Sequence, residues 1–265
     1  MLPWLAGLAL HLTVAPSAAE PGAGQAVPVS GGALPPFHRI GQVEERKREF
    51  FDYLTPLIRM ENQIILAQRA RLLSIYSDLQ KGQGIGASDR AFLRTLGGEY
   101  RLADGERSYR ALLDALLERV DVIPRSLVLA QAAKESGWGS SRFARSANNL
   151  FGQWCFERGC GLVPRDRPAG QTHEVRKYAS VRASVRSYVR NLNTHPSYEP
   201  FRQRRAALRS RDAPLCGVRL AEGLERYSAR GSEYVREVQA LIVQNDLESA
   251  WSGGLPARAM SVSAP

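Results

Sequence analysis

Between Pro56 and Gln80 the apolar residues Leu57, Ile58, Ile64, Ile65, Leu72, Ile75, Tyr76 and Leu79 recur at helical spacing. That spacing places them on one stripe of a 3.6-residue helix, and the stripe must be buried against other elements. The segment therefore predicts a long amphipathic helix, with Thr55 as N-cap and Pro56 as first helical residue. Gly82, Gly84 and Gly86 end it. Shorter helices follow. Ser88-Asp89 caps one to about Leu96, which Gly97-Gly98 breaks, and residues 106–120 bury Leu112, Leu113, Leu116 and Leu117. The turn from Asp121 to Ser126 feeds a helix ending at Glu135, and a short helix spans 140–147. Val181, Val185, Tyr188, Val189 and Leu192 share one face of another, and two more cover about 199–208 and 232–244. Only the stretch from Thr172 to Tyr178 alternates polar and apolar, reading as half of a small β-hairpin. The chain is predicted to be α+β and predominantly α.

A length of 265 residues allows one good-sized core with a smaller helical appendage. Leu2 to Val14 is mostly apolar, and Ser17-Ala18-Ala19 offers small residues for cleavage, so 1–19 reads as a signal peptide lacking its basic n-region. Residues 20–42 are rich in Pro, Gly, Ala and Ser and read as a flexible linker. The expected organisation is then an N-terminal helical region at 43–104, a catalytic domain at 105–248 and a disordered tail at 249–265. An exported or periplasmic location follows, with membrane association through an uncleaved N-terminus as the alternative. No other stretch is apolar enough to span a membrane.

The net charge is +10, and residues 125–248, with 21 Lys and Arg against 12 Asp and Glu, carry nearly all of it. A basic surface suits a polyanion. No nucleic-acid-binding motif accompanies it, and the densest run, Arg202 to Arg205 with Arg209 and Arg211, reads as a solvated helix face. Cys155 and Cys160 bracket a glycine-containing loop that could close as a disulfide or hold two thiols, and Cys216 is left over. The spacing does not suit a zinc site.

The residue that most invites chemistry is Glu135, in Gln131-Ala-Ala-Lys-Glu135-Ser-Gly-Trp138-Gly139. A carboxylate at a helix C-terminus meets the negative end of the dipole, and burial against Trp138 raises its pKa further. A carboxyl protonated near neutrality is what glycosidic cleavage needs as a general acid. The competing reading is an ordinary glutamate at a helix end stopped by glycine.

That stretch, together with Asn148-Asn149-Leu-Phe151-Gly-Gln153-Trp154, Thr172-His-Glu174 and Tyr227 to Tyr234, resembles the bacterial N-acetylglucosaminidases of glycoside hydrolase family seventy-three, the flagellar-rod and autolysin type. Phe50 to Pro56, Trp154 to Cys160 and Asn191 to Tyr198 resemble its Bax-like subgroup. Such domains also carry the descriptions mannosyl-glycoprotein endo-beta-N-acetylglucosaminidase and amidase. The resemblance runs from about Val43 to Gln244 and implies a lysozyme-like domain acting on peptidoglycan glycan strands, as a monomer without metal or cofactor.

By resemblance Glu135 is the general acid, Glu174 the second carboxylate and Tyr227 the tyrosine near the anomeric centre. Glu174 could instead be a surface strand residue paired with Arg176 or Lys177, and Tyr227 a core tyrosine with its hydroxyl tied off. Trp138, Asn149, Phe151, Gln153, Trp154 and Tyr198 are the groove candidates, by stacking on pyranose rings or bonding their amides. His195, before Pro196, reads as structural. Lys134 would lower the Glu135 pKa if its ammonium came close, and is expected to point away. The expected function is an exported endo-beta-N-acetylglucosaminidase cleaving beta-1,4 bonds of peptidoglycan. A wall-binding module with impaired catalysis is the alternative.

Overall fold

The structure is a computed structural model, and it describes residues 32–102 and 108–249. The expected signal peptide, residues 20–31 of the expected linker and residues 250–265 of the expected tail lie outside the described residues. Nine α-helices and three short strands are present among them. In chain order the helices are α1 (Val43–Gln80), α2 (Ala87–Glu99), α3 (Tyr109–Arg119), α4 (Arg125–Ser136) and α5 (Arg142–Ala147). After the strands come α6 (Val181–Thr194), α7 (Glu199–Arg209), α8 (Gly217–Ala221) and α9 (Ser232–Gln244). The fold is thus predominantly α with a small antiparallel sheet, consistent with the lysozyme-like α+β plan. No helix among the described residues is long and apolar enough to cross a membrane.

The helix expected to begin at Pro56 begins thirteen residues earlier and runs through that proline. Proline removes one intrahelical N–H and crowds the preceding turn. Here Phe50 and Leu54, both fully buried, continue the stripe of Leu57, Ile58, Ile65, Leu72 and Ile75, and their burial holds the helix through the defect. Thr55 is no cap: its hydroxyl donates to the Phe51 carbonyl at 2.8 Å. Gly97-Gly98 likewise lies inside α2 instead of ending it. A Cβ on Gly97 would stand 3.2 Å from a Leu112 methyl, so glycine lets α2 and α3 approach.

One apolar cluster runs from Phe37 to Leu247, so the N-terminal helices and the remainder share a core. Two expectations change with that. The part of the linker around Phe37 is docked: Phe37 is 3% exposed, edge-on to Phe50 and Tyr53. The arginine run on α7 is also not simply a solvated face, because Arg202 and Arg205 are buried. Arg205 donates to carbonyls of Glu118, Arg119, Asp121 and Val122 at the end of α3, and Arg209 forms a two-point ion pair with Asp121. Arg69 of α1 reaches Leu117 and Val120 carbonyls in the same place. Guanidinium groups here satisfy the orphan carbonyls of a helix C-terminus and complement its dipole.

The strand expected over 172–178 is shorter and more central than half a hairpin. β3 (Glu174–Arg176) lies between β1 (Trp154–Cys155) and β2 (Gly161–Leu162), pairing antiparallel with both. Gly161 packs its Cα against the Val175 carbonyl, where a Cβ would sit 2.0 Å away. Any side chain there would break the β2–β3 pairing.

Candidate active site

Glu135 is the penultimate residue of α4, a helix whose residues from Ser126 to Ala133 are all buried. Gly137 takes the left-handed conformation at φ 55°, and Trp138 and Gly139 follow at φ 57° and 74°. A left-handed tryptophan is strained, and such strain persists only where the surroundings impose it. Here Phe50 and Phe51 meet the Trp138 ring edge-on at 6.1 and 5.2 Å, with Lys47 over its face. Ser136 closes the turn from within, its Oγ donating to the Ala132 carbonyl and accepting from Gly139 N–H. The carboxyl of Glu135 is therefore carried on the last turn of α4, directly before a turn braced by α1.

Its environment is a chain of polar groups set in tyrosines. The Tyr188 hydroxyl donates to the Gln131 side-chain carbonyl, and the Gln131 amide donates to Tyr234 Oη at 2.8 Å. Tyr234 then donates to Glu135 Oε1 at 2.8 Å. The other oxygen, Oε2, lies near Gly152, 3.8 Å from where a Cβ would be, and that glycine is exposed. Burial pushes the Glu135 carboxyl above the usual glutamate value, opposed by the Tyr234 hydrogen bond and the Lys134 charge. Desolvation disfavours the charged form, and it dominates here. Lys134 itself points to α9, where its ammonium is ion-paired to Glu237 and lies 5.5 Å from the Tyr234 ring centre.

The other residues singled out from sequence are placed as follows. Glu174 accepts from the backbone N–H groups of Gly159 at 3.0 Å and Gly161 at 2.7 Å, which hold its carboxylate below the usual range. Its two oxygens thus each accept from a backbone N–H on either side of Cys160, whose disulfide to Cys155 closes the loop. Neither of the expected alternatives, Arg176 or Lys177, is its hydrogen-bond partner. The three side chains Cys155, Cys160 and Glu174 converge within 4.8 Å, but sulfurs in a disulfide offer no thiolate to a cation. Tyr227 donates to the Phe151 carbonyl at 3.1 Å and stacks on Tyr234 at 5.3 Å, so it backs the carboxyl's partner and does not touch the carboxyl itself.

Of the six groove candidates, four are held in contacts within the fold. Asn149 is buried: its amide nitrogen serves the Gln153 and Arg176 carbonyls, and its oxygen accepts from Phe151 and Gln153 N–H. Phe151 is buried in a stack on Tyr188 at 4.0 Å. Tyr198 is buried beside Tyr227, with its phenol pushed up to about 12 by burial. Trp138 is half-buried on α1. Aromatics at this density chiefly make core. Gln153 is half-buried and accepts from the Tyr178 hydroxyl at 2.7 Å. Trp154 alone of the six is open, 55% exposed and stacked on His173 at 4.0 Å. His195 accepts from Ser197 N–H, a local structural contact.

Sequence reasoning missed Tyr234 and Gln131 as members of the site. Gln131 was legible, since positions i and i+4 share a helix face with Glu135. Tyr234 ends the 227–234 stretch that carries the resemblance, but its contact with Glu135, 99 residues away in sequence, has no local signal.

The model of the glucosaminidase family, described as mannosyl-glycoprotein endo-beta-N-acetylglucosaminidase, matches residues 110–247. The chain belongs to that family. It is 36% identical over 213 residues to protein bax of Escherichia coli strain K12, covering 80% of this chain and 74% of that protein. Over 91 residues it is 37% identical to the peptidoglycan hydrolase FlgJ of Vibrio parahaemolyticus, 30% of each chain. No solved structure matches. The family match begins within α3, so the α1 residues that brace Trp138 lie outside it.

Proposed function

We propose that the protein is a peptidoglycan hydrolase cleaving beta-1,4 bonds at N-acetylglucosamine, with Glu135 as general acid. The observation that carries this reading is the Glu135 carboxyl: desolvated, hydrogen-bonded on one oxygen by Tyr234, and turned with the other towards exposed Gly152. Family membership and the likeness to FlgJ support the substrate class. The protonated carboxyl gives its proton to the glycosidic oxygen as the bond to the anomeric carbon breaks, and the resulting carboxylate then takes a proton from the entering water.

The oxocarbenium-like centre needs a nucleophile on its other face. With Glu174 bound to Gly159 and Gly161, the 2-acetamido oxygen of the substrate fills that role in this reading, and Glu174 orders the loop. Trp154 on His173 offers a stacking face for a pyranose ring. Export completes the reading, supported by the leader-like residues 1–19 and by a disulfide suited to an oxidising compartment; cell fractionation tests it.

The test of the activity is mass spectrometry of purified peptidoglycan after digestion. New reducing N-acetylglucosamine ends are expected. Reducing N-acetylmuramic acid ends would replace the reading by a muramidase, peptides released without new reducing ends by an amidase, and binding without products by a wall-binding module.

Tyr234→Phe probes the carboxyl's partner. The hydroxyl's hydrogen bond lowers the Glu135 pKa, so its loss raises it further. Cleavage is expected to fall by about tenfold through lost orientation, a smaller effect than loss of the acid itself. The alkaline limb of the pH–rate profile moves to higher pH, which distinguishes this from simple destabilisation.

A further inference from the structure

The lysine beside the acid is a hazard that the fold answers with a specific residue. Lys134 and Glu135 are neighbours at the end of α4, and both are met by α9: Glu135 by Tyr234, and Lys134 by Glu237 one turn further on. Glu237 also receives Arg230, which is anchored in turn on Glu233. The titratable groups that interact electrostatically with Glu135 are Lys134 on α4, Tyr234 on α9, Tyr188 on α6, Tyr227 in the turn of 222–227 and Tyr198 in the turn of 196–198. Burial raises all four phenols, so they stay neutral while a carboxyl titrates. Lys134 is the cation among these groups.

We propose that Glu237 is a positioning residue that draws the Lys134 ammonium over the Tyr234 ring and neutralises it, so that Glu135 keeps the proton it must donate. This rests on the hydrolase reading for its consequence, though not for its geometry. Hydrogen bonds from Arg230 and then Lys134 hold the Glu237 carboxylate down at about 2, so it is ionised wherever Glu135 titrates. The ion pair thus persists through the working range. Without it the Lys134 charge acts on Glu135 uncompensated and favours the carboxylate.

The test is carboxyl 13C NMR titration of the full chain, with the Glu135 signal assigned by its loss in Glu135→Gln. In Glu237→Gln the Glu135 midpoint is expected to fall by on the order of half a pH unit. Lys134→Met added to it is expected to restore or exceed the starting midpoint, and Lys134→Met alone to raise it. The alkaline limb of glycan cleavage should follow in the same order. An unmoved Glu135 midpoint in folded Glu237→Gln, or a double variant that stays low, overturns the proposal. Should Glu237→Gln not fold, an unchanged midpoint in Lys134→Met overturns it equally. If the midpoints move as stated while the unaltered chain cleaves no glycan, the hydrolase reading fails and the positioning role stands.

Discussion

Glu135→Gln is expected to reduce release of reducing ends from peptidoglycan by roughly a hundredfold to ten-thousandfold, the range that a positioned general acid supplies. Glutamine keeps the shape and can still accept from Tyr234, so the change removes the transferable proton and little else. Linkage gives an independent readout. The folded-state pKa of Glu135 lies above its usual value, so the folded chain holds this proton more tightly than the unfolded chain. Stability is then lost as pH rises from the unfolded value through the folded one, and the loss persists at neutrality. Glu135→Gln should therefore melt at the same temperature as the unaltered chain or higher at pH 7, while losing activity. Glu174→Gln in the same assay should cost far less activity, because its carboxylate serves two loop N–H groups and not the acid. Equal losses in the two variants would return Glu174 to the reaction itself.

Asp121→Ala is expected to destabilise the fold by about 3–5 kcal/mol, the usual penalty for leaving buried charge uncompensated. Asp121 is 2% exposed, and Arg69, Arg205 and Arg209 converge on it. Arg205 is itself 1% exposed, and burial lowers its pKa to about 10. Removing the carboxylate leaves Arg69 on backbone carbonyls, Arg205 on carbonyls and the Asn193 side chain, and takes from Arg209 both hydrogen bonds to Asp121. A melting temperature lower by roughly 10 °C would register this. The pH dependence supplies a second check. Desolvation pushes Asp121 up, but the Arg209 hydrogen bonds and the charges of Arg205 and Arg69 outweigh it, so its folded pKa is depressed. Its contribution is present above the usual aspartate value and is lost as pH falls through the folded one. Acid destabilisation should accordingly be shallower in Asp121→Ala. The effect reaches the site, because Asp121 begins the turn into α4, and Asn62 of α1 grips the same turn through both backbone groups of Ile123.

How far the sequence could be read depended on the range of the forces involved. Helical stripes are local, so α4, α6, α7 and α9 lie where the periodicity placed them. Interruptions were misread wherever packing outweighed a local breaker, as at Pro56 and at Gly97-Gly98. The backbone partners of the polar candidates were not legible in the sequence. Asn149 has the right chemistry for an acetamide, but three hydrogen bonds within its own loop and one to the Arg176 carbonyl of β3 occupy it. Nothing in the spacing of Glu174 foretells that two glycine N–H groups will hold it.

By itself the sequence determined the helical class, the family and the presence of one carboxyl at the end of a buried helix, since each is written in contiguous residues or their periodicity. The tertiary structure alone decided what that carboxyl meets. Tyr234 and Glu237 come from a helix about a hundred residues away, and the bracing of Trp138 comes from residues nearly as distant on the other side. Burial and charge at Glu135 are sums over such neighbours, and neighbours distant along the chain are fixed only when the helices pack.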